Sequence, residues 1–229
     1  MPDLRPGVLL DMDGTLLDTN YLHTLAWSRG LADAGEWAPM HAIHRLIGMG
    51  GGTLMKSLLG HENHDARDSQ HRHYDELKGE IRAFPGAREL LRALHGAGLA
   101  VVLATSAPQD DLDAMRKVLS AEDAIDAVTG ADDVDESKPA PDIFLAALRA
   151  GGVDPRLCLV VGDSVWDVEA ADAAGVACVG VESGGFSRHE LMEAGAMHVY
   201  RDVQQLLDHL RTGPFAPLLA AARGGQPAG

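Results

Sequence analysis

Four carboxylates, two hydroxyls and one ammonium stand out because of where they fall. Asp11 and Asp13 follow the apolar run Val8-Leu9-Leu10, and Thr105 and Ser106 follow a run that ends at Ala104. Asp163 follows the run Leu157 to Val161, with Asp167 four residues further on, and Lys138 lies in Ser137-Lys138-Pro139. Crowded carboxylates repel each other unless a cation sits among them. Oxygen ligands without His or Cys point to a hard divalent ion, Mg²⁺ before Zn²⁺. Such an ion with spare coordination positions favours a phosphate, whose remaining oxygens Thr105, Ser106 and Lys138 can hold. One carboxylate can attack phosphorus to form an aspartyl-phosphate, and a second two residues away can protonate the leaving alkoxide and later deprotonate water. Taken singly, the residues have plainer readings. Asp13-Gly14 makes a routine turn, Thr105-Ser106 before Pro108 makes a helix cap, and a lone lysine is a solvated one. Their convergence on one sheet edge carries the argument.

That edge has to be built by the segments around it. After Phe84-Pro85-Gly86 the pattern alternates between amphipathic helices and apolar strands. The strands read as Leu99 to Ala104, Ala127 to Thr129, Leu157 to Val161, Val176 to Val181 and Met197 to Tyr200. Helices read from spacings such as Leu90, Leu91, Leu94, and over Ile143 to Ala150, Val165 to Ala174 and Val203 to Leu210. Continuous apolar strands between helices predict an α/β fold, a Rossmann-like parallel sheet covered on both faces. Residues 1–18 and 84–212 form that core. Residues 19–83 contain no good strand and read as an inserted α-helical domain, interrupted at Gly35, at Pro39 and at a flexible Gly48-Met49-Gly50-Gly51-Gly52. Trp27 and Trp37 are assigned to its core. His61, His64, His71 and His73, with Asp65, Arg67, Asp68 and Gln70 among them, read as a solvated helical face rather than a transition-metal site. Residues 213–229, rich in Ala, Gly and Pro, read as a mobile tail on which Phe215 and Leu218-Leu219 offer a docking point.

Composition narrows the partners. In 229 residues, 19 Lys and Arg face 34 Asp and Glu, a net charge of −15. That surface repels phosphate backbones and anionic lipid, so neither nucleic acid nor membrane is an expected partner. No apolar stretch reaches the roughly 18–20 residues needed to span a bilayer. Cys158 and Cys178 both sit in apolar runs, as buried thiols do in a reducing compartment. The expectation is a cytoplasmic monomer or homodimer.

Asp11-Met12-Asp13-Gly14-Thr15-Leu16-Leu17-Asp18-Thr19 resembles the first motif of the haloacid dehalogenase-like hydrolase superfamily. Thr105 resembles the second motif, Lys138-Pro139 the third, and Gly162-Asp163-Ser164 with Asp167 the fourth. The resemblance implies that Asp11 is the nucleophile and Asp13 the general acid/base. It also implies that Asp11, the Asp13 carbonyl oxygen and Asp163 hold Mg²⁺, with Asp167 an outer or additional ligand. Thr105 would bind the phosphoryl group and Lys138 would neutralise charge between it and Asp11. The insert at 19–83 resembles the family's mobile helical cap, which excludes water during transfer.

Subclass follows from departures. Dehalogenases and phosphonate hydrolases of the family lack the second aspartate of the first motif, so Asp13 argues against both. Sugar phosphomutases of the β-phosphoglucomutase type keep it, and this chain shares His23 and Trp27 with them at matching distances from Asp11. Where they carry a phosphate-gripping arginine, this chain has Gly51. With no other cation assigned to the cap, the expectation is a phosphatase acting on a small phosphorylated metabolite. A sugar phosphomutase and a non-catalytic binding protein on the same scaffold are the alternatives. His23 is placed either to touch substrate or to pack where the insert begins.

Overall fold

The structure is a computed structural model that describes residues 4–224. Its centre is a six-stranded sheet in the order β3-β2-β1-β4-β5-β6, with every neighbouring pair parallel. Along the chain, β1 (Arg5–Leu10) is followed by four helices of the insert. These are α1 (Asn20–Asp33), α2 (Met40–His44), α3 (Gly51–Leu59) and α4 (His64–Leu77). Then come α5 (Ala87–Gly96), β2 (Ala100–Ala104), α6 (Gln109–Leu119), β3 (Ala127–Thr129), α7 (Asp142–Gly151) and β4 (Val153–Gly162). The chain finishes with α8 (Val165–Ala173), β5 (Ala177–Val181), α9 (Arg188–Glu193), β6 (His198–Tyr200), α10 (Val203–Asp208) and α11 (Ala216–Gly224).

Alternation along the strands explains why they are apolar throughout. Val8, Leu10, Val101, Leu103 and Val161 face one side, against Leu90, Leu94, Met115 and Leu206. Leu9, Val102, Val160 and Cys178 face the other, against Phe144, Ala147, Val168 and Leu191. Successive side chains point to opposite faces, so a strand covered on both needs every position apolar. This is the three-layer α/β arrangement that the sequence predicts. Strand β4 begins four residues before the predicted Leu157, because the chain returns to pair Val153 with Arg5 after a register shift.

The helical insert has its own apolar cluster, built from Trp27, Leu31, Ile43, Ile47, Leu54, Met55 and Ala66. Gly30 lets its two longest helices approach closely. A Cβ there would lie 2.7 Å from the Ala66 carbonyl and from the Gln70 amide nitrogen. Two connecting segments join insert to core and bridge each other antiparallel at Leu17 and Ala83. The Asp18 amide donates to the Arg82 carbonyl at 2.8 Å, and the Phe84 amide to the Leu16 carbonyl at 2.9 Å.

Three expectations need correction. Trp37 is not core: it lies in the loop between α1 and α2, where no helix covers it, and is 78% exposed. Gly51 and Gly52 are not loop but the first turn of α3. The described part of the tail is packed, since α11 turns Phe215, Leu218 and Leu219 into the cluster under the sheet. Residues 225–229 of that predicted tail lie outside the described residues. Phe215 is fully buried, so Phe215→Ala should destabilise the protein by about 3–5 kcal/mol in urea unfolding. An unchanged unfolding midpoint would mean that the segment is not part of the core.

Candidate active site

The strand order reverses between β1 and β4, and in parallel sheets such a crevice at the carboxyl ends of the strands is where ligands bind. Leu10 lies in register with Val161, and the Asp11 amide donates to the Val161 carbonyl at 2.9 Å. Asp11 and Asp163, each one residue past its strand, therefore stand side by side. Gly14, with φ +74°, turns the chain immediately after the two aspartates, and a side chain there would collide with Asn20 and Asp163. Asp167 is fixed by a capping box at the start of α8. Its carboxylate accepts from the Ser164 amide at 3.1 Å and from the Ser164 hydroxyl at 2.5 Å, and the Asp167 amide donates back to that hydroxyl.

Lys138, 1% exposed, reaches into this crevice from the segment between β3 and α7. Its ammonium lies 2.5 Å from Asp11 and 2.8 Å from Asp167. Burial pushes that ammonium towards its neutral form, but the two carboxylates outweigh burial and hold its pKa above the ordinary value. Burial also drives Asp11 well above the carboxylate range against the pull of Lys138, with Asp167 and Asp163 adding to the rise. Asp163 is pushed up to about 8, chiefly by burial and by Asp167, although Asn20 and Thr15 donate to it at 3.0 Å each.

Oxygens of Asp11, Asp163 and Asp167 all lie within 4.8 Å of one another, so this buried triad can hold a metal ion. The donor set fits one. Three buried carboxylates beside a single ammonium leave negative charge uncompensated, and all their ligand atoms are hard oxygens.

The Asp13 carboxylate points elsewhere. It accepts from the Thr19 hydroxyl at 2.5 Å and from the Thr105 hydroxyl at 3.4 Å, and lies 3.2 Å from His23 Nε2. Burial alone would raise its pKa, but His23, Thr19 and Lys138 together hold it below the ordinary range. His23 in turn stacks on Tyr74, with ring centroids 4.0 Å apart, so it both packs and reaches the site. Ser106 donates to the Gly48 carbonyl at 3.3 Å, tying the loop after β2 to the insert.

All seven residues singled out from the sequence thus meet in one crevice, and a cavity of about 240 Å³ opens above Asp11, Asp13 and Ser106. Asn20 was not foreseen, because an asparagine at a helix start reads as a cap. Here it links the insert to Asp163 and to the Gly184 carbonyl.

The solvated reading of the α4 face holds for His64, Asp65, Asp68 and His71, which are exposed, and needs correction for two residues. Arg67 is half-buried and Gln70 buried, because α4 packs closely on α1 at Gly30, and both line the cavity together with His71. The insert therefore does bring a cation to the pocket, and the absence of one at Gly51 no longer separates phosphatase from mutase. Two of the other histidines pair locally, His61 with Glu36 at 3.2 Å and His73 with Asp33 at 2.9 Å.

Residues 6–175 match the haloacid dehalogenase-like hydrolases. The chain is 35% identical over 221 residues to a phosphoglycolate phosphatase of Rhodospirillum rubrum, covering 89% of this chain and 90% of that one. A solved hydrolase from Pseudomonas syringae superposes with TM-score 0.85 at 38% identity, covering 90% of this chain and 98% of the other. CbbY from Rhodobacter sphaeroides, solved in complex with phosphate, gives TM-score 0.74 at 28% identity over 89% and 96%. The chain belongs to the haloacid dehalogenase-like hydrolase family. Within that family it is a phosphatase, an enzyme whose relatives act on small phosphorylated substrates. No helix among the described residues is long and apolar enough to cross a membrane.

The raised carboxyls make a signed prediction. Between about pH 4 and pH 8 the folded, metal-free protein holds a proton on Asp163 that the unfolded chain releases, so its stability should fall as pH rises. Asp13 and His44 have the opposite sign, but Asp13's contribution is lost only below about pH 4, and that of His44, lowered by burial, changes little above its ordinary value near pH 6.5. Melting of EDTA-treated protein should therefore be lower at about pH 8 than at about pH 6, with Asp163→Asn flattening the slope. A divalent cation should raise the melting temperature more at the higher pH, where fewer protons compete for its ligands. A melting temperature that rises with pH in wild type would contradict this electrostatic picture.

Proposed function

We propose that this protein is a Mg²⁺-dependent phosphomonoesterase of a small metabolite, working through an aspartyl-phosphate on Asp11. The observation that carries the proposal is the clamp of Lys138 on Asp11, inside a metal-sized carboxylate triad and below a cavity. Asp11, the Asp13 carbonyl oxygen, Asp163 and Asp167 would hold the ion. When bound, it supplies positive charge that offsets the carboxylates and the phosphoryl oxygens.

A carboxylate oxygen of Asp11 attacks phosphorus, and the ester P–O bond breaks with its electron pair going to the metabolite oxygen. Lys138, Thr105 and Ser106 hold the phosphoryl oxygens while charge redistributes. Asp13 gives its proton to the departing alkoxide. Its contact with His23 Nε2 at 3.2 Å positions that carboxyl group for the transfer. Water then attacks phosphorus, Asp13 takes up its proton, and phosphate leaves with Asp11 restored.

Residues 19–83 act as a cap that closes over this sequence of steps and opens for release. The paired connecting segments, and the contacts of Thr19 and Asn20 with Asp13 and Asp163, support that reading. Phosphoglycolate, named for the relatives, is the first substrate to test, and the two buried free thiols suit a cytoplasmic location.

Asp11→Asn should lower turnover by about 10³-fold or more while the fold survives. EDTA should do the same, reversibly on adding Mg²⁺. Free phosphate should appear mole for mole with substrate consumed. Activity surviving both treatments, or conversion to an isomeric phosphate without release, would overturn the proposal.

A further inference from the structure

Every anion-holding group described so far grips the phosphoryl end of a substrate. Arg67 does not. It lies on α4 of the insert and lines the same cavity as Asp11 and Asp13 of the core, together with Trp27 and Gly51. Its Nε is enclosed by the protein and has no hydrogen-bond partner. The nearby acids are taken: Glu62 pairs with Lys56 at 2.8 Å and Asp33 with His73 at 2.9 Å, and no ion pair of Arg67 occurs among the described residues. An enclosed guanidinium donor without an acceptor is a cost that persists until a ligand supplies one.

The surroundings make room for such a ligand. A Cβ at Gly51 would lie 3.0 Å from the Trp27 ring and 3.8 Å from Arg67 Cδ, so any larger residue there would intrude beside the guanidinium. Ala66 and Gln70, on either side of Arg67 along α4, lie so close to Gly30 of α1 that a Cβ there would meet the Ala66 carbonyl and the Gln70 amide nitrogen at 2.7 Å each. The α3 amides at Gly51 and Gly52 have no side-chain cap and begin next to the same cavity, adding partial positive charge.

We propose that Arg67 grips a second anionic group on the substrate, a carboxylate or a phosphate, at the end remote from Asp11. The proposal rests on the phosphatase reading for the identity of the first end. A guanidinium fork matches either group with two parallel hydrogen bonds, whereas a neutral hydroxyl tail leaves its charge unanswered. The enzyme's substrates are accordingly short phosphorylated acids or bisphosphates, and Arg67 is the residue that selects them.

Three compounds that differ only in the tail test this: phosphoglycolate, ethanediol bisphosphate and 2-hydroxyethyl phosphate. Wild type should prefer at least one anionic tail over the neutral one by about 10- to 100-fold in kcat/KM, mostly through KM. Arg67→Met should collapse that ratio to within a few-fold, and Arg67→Lys should restore part of it. The tail whose ratio falls further identifies carboxylate or phosphate as the natural partner. Binding of the same compounds to Asp11→Asn protein, followed by calorimetry, reads the grip without turnover. Tail-dependent binding that needs Arg67, with no hydrolysis in wild type, would sustain the grip and refute the phosphatase reading. Hydrolysis with no preference among tails, a preference that survives Arg67→Met, or no binding of any of the three would overturn the grip.

Discussion

The contact of Lys138 with Asp11 and Asp167 is the constraint around which the rest of the molecule is arranged. Removing one ammonium or one carboxylate from water costs several kcal/mol, and neither group is tolerable there alone. The carboxylates keep Lys138 charged, Lys138 offsets only part of the burial of Asp11, and Asp163 beside them adds a third carboxylate. The balance is still incomplete, since one positive group faces three negative ones. That shortfall adds to burial in leaving Asp163 and Asp11 with raised pKa values, and a metal ion held by the triad would offset it. The −15 of the whole chain has little bearing on this interior, where local charge decides.

Each partner in the contact comes from a different element, so the fold has to be right before the chemistry can exist. β1 delivers Asp11, the β3–α7 segment delivers Lys138, and β4 with α8 delivers Asp163 and Asp167. The parallel sheet places these carboxyl ends on one edge, and the capping box turns Asp167 towards Lys138 rather than away from it. The insert is coupled to the same point through short polar contacts. Thr19, Asn20 and His23, all at the start of α1, touch Asp13 or Asp163, so a rotation of that helix would be felt by both carboxylates.

The core was legible in the sequence because strands buried on both faces are apolar without interruption, and because polar residues crowd at their carboxyl ends. Six of the seven candidate site residues follow that same pattern, and Lys138, in the segment before α7, does not. What stayed hidden depends on how helices pack against one another. Arg67 and Gln70 look like part of a solvated face in a stretch full of charge, and the close packing of α4 on α1 at Gly30 turns them inward while His71 stays exposed. Trp37 looks like core by its type, but core membership requires a neighbour, and its loop has none. The tail is rich in Ala, Gly and Pro, yet Phe215, Leu218 and Leu219 pack its described part into the core.

The central claim is that Asp11 itself, and not water, first attacks phosphorus. Acid quenching during turnover of phosphoglycolate, followed by peptide mass analysis, tests this most directly. The account predicts one added phosphoryl group on the peptide containing Asp11, labile to hydroxylamine as an acyl phosphate is. It should be absent without Mg²⁺ and absent from Asp11→Asn protein. Full turnover with every peptide unmodified, or the phosphoryl group on a residue other than Asp11, would contradict it.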